Sequence, residues 1–197
     1  AHRGKMYKAQ VGRKNLQNST SSLEDFFHKL ESVAIIKLDN QSVVPRLANM
    51  TQKTNQFNLT TKRYHEKDLI GFINSQSHSV YSMSLSDKFG DNGVVGLIIV
   101  EKLKDSWVID TFLLSCRVMG RYAENSLLSF VCHDSMKQGN QVIRGRFIPT
   151  PRNKPVSDLY RKLGFELLNQ VEDEETWEID LTRNTVSYPE WIKVINE

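Results

Sequence analysis

The chain has 197 residues, of which 39% are apolar and 25% charged, with a formal charge of +3. That is the make-up of one globular domain with trimmings, able to bury about 70% of the surface its unfolded chain exposes, and it excludes a disordered or collagen-like chain. No run of about 18 apolar residues occurs, so a membrane-spanning helix is excluded.

Residues 1–20 carry five Lys/Arg and no acid. With little apolar periodicity they read as a basic linker or arm. The start AHRGKMYKAQ has no signal-peptide core, and an Ala in place of Met reads as a fragment or a processed product. Residues 21–197 read as one domain. Ser21 and Ser22 precede Leu23, Glu24 and Asp25, an N-cap with acids in the first turn, and Leu23, Phe26, Phe27 and Leu30 form one apolar helical stripe. VAIIKL (33–38) is a strand. Ser42 is expected to cap a helix with Pro45 in its first turn and Val44, Leu47, Ala48 and Met50 on its buried face.

An Asn/Thr-rich loop (55–64) leads to a helix over 65–74 and a strand over 78–85. Asp91-Asn92-Gly93 signals a hairpin turn, followed by strands at 94–103 and 106–114. A long helix over 121–139 closes at Gly139. A strand at 141–148, a helix over 154–163 ended by Gly164, and strands at 166–171 and 176–181 complete the order. Strands alternating with helices imply a mixed α/β sheet.

Two cysteines, Cys116 and Cys132, are too few for a disulfide framework or a cysteine-only zinc site, and a reduced, cytoplasmic setting fits them. His2, His28, His65, His78 and His133 are scattered, with no metal-ligand spacing. Charge is uneven. Residues 117–162 hold nine Lys/Arg against three Asp/Glu, and 163–197 hold two against nine. One face is therefore suited to an anionic partner, or else two solvated faces offset each other. A nucleic-acid partner is not expected, since aromatic residues do not interleave with the basic ones.

Two segments carry chemistry. In Leu113-Leu114-Ser115-Cys116-Arg117-Val118-Met119-Gly120-Arg121-Tyr122-Ala123 a strand ends, a glycine sits in the turn and a helix begins. The unpaired N–H groups there favour a pyrophosphate, glycine permits close approach, and Arg117 or Arg121 adds charge. Downstream, Asn153 stands before the helical stretch that ends at Tyr160-Arg161-Lys162-Leu163-Gly164-Phe165.

Together these segments resemble the GNAT acyltransferase superfamily, through Arg117…Gly120 and Asn153…Tyr160…Gly164-Phe165. The resemblance covers about 33–182. It implies a mixed, mostly antiparallel central sheet with a splayed parallel pair and helices on both faces. Tyr122 stands where a small residue is expected, with Ala123 one place late. Three further strings, Thr54–Thr61 with Arg63-Tyr64, Leu114–Arg121, and Ile148-Pro149-Thr150 with Asn153 and Pro155-Val156, look like the C-terminal region of FkbH-like proteins. That resemblance implies handling of a glyceryl or acyl thioester on a phosphopantetheine arm in polyketide-type biosynthesis. The arm would belong to coenzyme A or to an acyl carrier protein. It also implies a HAD-type phosphatase domain upstream, whose Asp-x-Asp signature is absent here.

The resemblance makes Ser115, Arg117, Val118, Met119, Gly120, Arg121, Tyr122 and Ala123 a phosphate-binding loop. Asn153 is either a pantetheine contact or a helix cap. Tyr160 either protonates a departing thiolate or packs below the sheet. Cys116, where helix-start amides and Arg117 favour the nucleophilic thiolate, is either an acyl acceptor or a buried core cysteine. Asn55, Gln56, Phe57 and Asn58 either read substrate hydroxyls or brace a rigid loop, and Arg146 either lines the cleft or is solvated. No general base is legible, Asp110 and His65 being bare candidates. The rival to acyl transfer is a catalytically inactive docking module.

Overall fold

A computed structural model describes residues 2–197. Ala1, the first residue of the expected arm, lies outside the described residues. The basic segment is a helix, α1 (His2–Ser19), with a thin apolar edge. Ala9 is buried, Gly12 lies against the Phe89 ring, and Leu16 packs with Phe26, Phe27 and Leu30. Such small contacts leave almost no periodic signal. In α2 (Leu23–Leu30) the Ser22 hydroxyl caps the helix by accepting from the Asp25 N–H at 3.0 Å. Phe26, Phe27 and Leu30 are buried as expected, but Leu23 is 61% exposed and lies outside their cluster.

Eight strands form one sheet in the order β6-β7-β5-β4-β3-β2-β1-β8. The strands are β1 (Ser32–Leu38), β2 (His78–Asp87), β3 (Gly90–Lys102), β4 (Trp107–Leu114), β5 (Val142–Phe147), β6 (Glu166–Val171), β7 (Glu174–Asp180) and β8 (Ile192–Asn196). Neighbours run antiparallel except β4–β5 and β1–β8. Alternation sorts side chains to two faces. Leu97 and Ile99 of β3 join Val44, Leu47 and Met50 of α3 (Val44–Lys53) and Leu69 of α4 (Glu66–Ile73). Ile98 and Val100 join Leu127, Leu128 and Val131 of α5 (Ala123–Lys137) on the other face. Each such buried side chain contributes about 1.5–3 kcal/mol relative to exposure.

Three local expectations are corrected. Asn40, not Ser42, caps the turn before α3, its Oδ1 accepting from the Ser42 N–H at 3.0 Å. Asp91-Asn92-Gly93 lies inside β3, in the stretch where its register with β2 shifts, and the reversal itself falls at Lys88-Phe89. Asn92 is buried and donates to the Leu85 carbonyl, so it anchors the hairpin rather than turning it. The helix expected over 154–163 is a 3-10 turn, Lys154–Val156, followed by the short α6 (Leu159–Lys162). Asp158, at φ −102° and ψ 8°, leaves the helical region between them. Strand β8 was not legible, because it is a short edge element whose partner lies about 160 residues away.

The feature that positions the site is a gap in the sheet. β4 and β5 pair only at Trp107–Ile143, Val108–Arg144 and Ile109–Gly145, then diverge. Gly145 is needed there. A Cβ at this position would collide with the Tyr160 ring packed beneath it.

Candidate functional site

Beyond Ile109 the backbone of β4 would be an unpaired edge. Residues 57–60 pair with it. The Leu59 N–H donates to the Phe112 carbonyl at 3.0 Å, and the Leu114 N–H donates to the Phe57 carbonyl at 3.0 Å. Asn58 bridges Leu113 in antiparallel sense, and the Thr60 hydroxyl donates to the Asp110 carbonyl at 2.9 Å. On the opposite side the Ile148 N–H donates to the Leu59 carbonyl at 2.8 Å. The stretch expected as a plain loop therefore fills the gap, as an extended segment with an isolated bridge at Asn58. Its alternation of Phe57 and Leu59 with Asn58 and Thr60 was the available signal.

Asn153 locks this segment. Its side chain is fully buried, and Nδ2 donates to the carbonyls of Asn58 and Ile148 at 3.0 and 2.9 Å. Oδ1 accepts from the Thr150 N–H at 2.7 Å and the Thr150 hydroxyl at 3.1 Å. It caps no helix, and no hydrogen-bonding atom of its amide remains for a ligand. Asn58 is likewise turned inward, donating to the Thr54 carbonyl and accepting from the Thr61 N–H.

At the outer end of the segment a cavity of about 560 Å³ opens. Asn55, Gln56 and Phe57 line it from one side and Ser115, Cys116 and Arg117 from the other. The sequence thus placed two distant strings at one site. Helix α3 adds Arg46, Asn49 and Lys53, which the sequence reading missed. Their i, i+3, i+7 spacing on one helix face was the signal. No carboxylate lines the cavity among the described residues. Arg46 donates to the Val94 carbonyl from Nε and Nη2, both at 3.2 Å, and burial together with the nearby charge of Arg117 lowers its pKa. Arg117 donates from Nε to the Ser115 hydroxyl at 3.2 Å. The loop is braced by Arg63, which donates to the Asn55 side chain at 2.5 Å and to the carbonyls of Thr51 and Thr54. Cys116 is exposed at the rim.

The expected phosphate loop is partly turned to other tasks. A 3-10 turn spans Cys116–Val118, Gly120 adopts φ +74°, and α5 begins at Ala123. Arg121 points away, its Nη2 pairing with the fully buried Asp87 carboxylate at 2.7 Å, which Arg13 of α1 also grips at 2.8 Å. Tyr122 holds φ +60°, a left-handed conformation that costs about 1 kcal/mol for a residue with a Cβ. Its ring stacks edge-on against Phe27 and Trp191, at 5.4 and 5.2 Å between centroids, well offset from the Cys116 cavity it does not line. Val118 and Ala123 are buried, and Met119 packs on the core. Glu124, in the first turn of α5, is half-buried with its Oε2 buried and unpartnered, and burial raises its pKa.

Tyr160 and Arg146 belong to another cluster. Tyr160 is 2% exposed with an unpartnered hydroxyl, and burial, then the Asp110 charge, pushes its pKa far up. Asp110 accepts from the Tyr64 hydroxyl at 2.6 Å, from Thr111 at 3.0 Å and from Lys62. Arg146 lies between Asp110 and Glu174, at 4.0 and 3.4 Å. Neither Tyr160 nor Arg146 lines the Cys116 cavity. Among the described residues no group of three His, Cys, Asp or Glu could hold a metal, and no helix is long and apolar enough to cross a membrane.

A mostly antiparallel sheet with one splayed parallel pair, helices on both faces and a strand-to-helix loop at the splay defines a particular mixed α/β fold. It is the GNAT fold. A putative GNAT-family acetyltransferase from Desulfovibrio desulfuricans superposes with a TM-score of 0.60 at 9% identity, covering 75% of this chain and 99% of that one. A domain from Methanocaldococcus jannaschii gives 0.62 at 17% identity, covering 76% and 99%. The putative acetyltransferase YncA from Salmonella typhimurium, solved with its cofactor acetyl-CoA, gives 0.54 at 13% identity, covering 75% and 94%. No protein-family model and no curated protein matches the chain.

Proposed function

We propose that this chain is an acyl-transfer domain that takes a thioester on a phosphopantetheine arm, with Cys116 as the acyl-accepting thiol. The observation that carries the reading is the carboxylate-free cavity that joins Cys116 to Asn55 and Gln56 under Arg46, Lys53 and Arg117. The Cys116 thiolate adds to the thioester carbonyl and a carbon–sulfur bond forms. The tetrahedral oxyanion collapses, the bond to the arm sulfur breaks, and the proton lost by Cys116 balances the one gained by the arm thiol. Arg46 and Arg117 supply positive charge where the oxyanion develops, and the cavity walls supply orientation. The side-chain amides suit an acyl unit bearing hydroxyls, of the glyceryl kind. An acidic acyl carrier protein fits the cationic rim as the bearer of the arm, and the FkbH-like strings support a polyketide-type setting beside a HAD-type phosphatase domain.

The rival reading, a docking module without catalysis, draws on the closed gap between β4 and β5 and on the inaccessible Tyr160. Intact mass spectrometry after incubation with a 2,3-dihydroxypropanoyl thioester of pantetheine separates the two. Acyl transfer gives a single adduct on Cys116, lost in Cys116→Ala and kept in Cys132→Ala. A chain that stays unmodified leaves only the docking role.

A further inference from the structure

Two places on this molecule could receive a pantetheine arm. One is the gap between β4 and β5, since a slender chain with two amides can pair with an open strand edge. That gap is not open. Phe57–Thr60 already makes three main-chain hydrogen bonds across it, and Asn153 holds the segment from behind. Coenzyme A does not fit there unless the chain's own segment leaves.

The other place lies on the outside. A second cavity, of about 1080 Å³, sits between α1 and the β2–β3 turn. Lys8, Arg13, Lys88, Arg117 and Arg121 line it, against Asp91 as the only carboxylate lining it among the described residues. Arg121 gives Nη2 to Asp87 but has Nε and Nη1 buried with no partner. Unpaired buried guanidinium donors are costly, and phosphate oxygens satisfy them best. Arg117 lines this cavity and the Cys116 cavity alike.

We propose that the arm runs over the outer face, its phosphate end held in the cation-lined cavity between α1 and the β2–β3 turn, and passes Arg117 to bring its sulfur to Cys116. The gap between β4 and β5 stays closed throughout. The ligand class is a phosphate-bearing pantetheine, free as coenzyme A or attached to a carrier. The proposal rests on the reading of Cys116 as the thiol that meets the arm, but its test does not involve acyl transfer, so each can fail without the other.

The test is thiol–disulfide exchange at Cys116, followed by intact mass in the Cys132→Ala background. The Cys116 thiolate attacks one sulfur of a symmetrical disulfide, that S–S bond breaks, and the thiol of the displaced half departs. Three probes are compared: coenzyme A disulfide, 4′-phosphopantetheine disulfide and pantethine, which carries no phosphate. At low salt the phosphorylated probes react about tenfold or more faster than pantethine, the scale of electrostatic guidance. Equal rates for the two phosphorylated probes mean that one phosphate is read, as on a carrier arm. A faster coenzyme A disulfide means that the nucleotide end is read as well. Lys8→Glu with Lys88→Glu brings the ratio to pantethine down to about one, whereas Lys104→Glu, on the turn between β3 and β4, leaves it unchanged. Because the readout is a ratio, a variant that merely folds poorly does not mimic the effect. In parallel, hydrogen exchange at the Leu59 and Ile148 amides stays protected under saturating coenzyme A. Equal rates for all three probes, a ratio that survives the charge reversal, or loss of protection at Leu59 overturns the proposal.

Discussion

Substituting Asn153 tests whether this residue is a helix cap or the lock on the segment that fills the gap in the sheet. A cap needs only a side-chain oxygen, so aspartate replaces asparagine at almost no cost and alanine costs about 1 kcal/mol. The structure requires more. Both Nδ2 hydrogens go to main-chain carbonyls, of Asn58 and Ile148, and Oδ1 takes two donors from Thr150, all in a site without solvent. Asn153→Ala strands two carbonyls and one N–H. At about 1–3 kcal/mol for each buried group left unsatisfied, and with partial relaxation, the loss is about 3–5 kcal/mol. Asn153→Asp is at least as harmful, because a carboxylate oxygen then faces two carbonyl oxygens. Urea unfolding with a common m-value measures both. An aspartate variant within about 0.5 kcal/mol of the parent refutes the lock.

Asp87 is fully buried between Arg13 and Arg121. Asp87→Ala leaves two guanidinium groups without their counterion and costs about 3–5 kcal/mol in urea unfolding; a loss below about 1 kcal/mol contradicts it. Burial works to raise the Asp110 pKa, but hydrogen bonds from Lys62 and Tyr64, aided by the Lys62 charge, win and hold it below the ordinary carboxylate value. A depressed folded-state pKa stabilises fully above about pH 4 and loses that contribution as pH falls through the lower folded value. Stability measured from neutral pH down to about pH 2.5 therefore falls less steeply in Asp110→Asn, and parallel acid limbs refute this. Tyr160→Phe removes a buried hydroxyl that has no partner. It raises stability by about 1 kcal/mol and leaves the Cys116 adduct intact, whereas loss of the adduct would restore Tyr160 to the chemistry.

What the sequence determined on its own was whatever repeats over a few residues or depends on one backbone conformation. Short apolar, β-branched or alternating runs marked seven of the eight strands, the Ser22 cap and the Phe26, Phe27, Leu30 stripe marked α2, and Gly120, Gly139 and Gly164 fall where the chain turns with positive φ. The strings around Asn55 and Cys116 were recognisable separately, and the fold joined them. Tertiary structure alone decided which polar groups meet. Asn153 looked like a cap because its locality is that of a cap, yet its partners, Asn58 and Ile148, are brought to it by the divergence of β4 and β5. Arg121 looked like a ligand of the turn before α5 until Asp87, 34 residues earlier, drew its Nη2 away from that turn. Local periodicity records which face of an element is apolar; it carries no record of which distant donor satisfies a buried acceptor, because that pairing exists only once the sheet has closed around it.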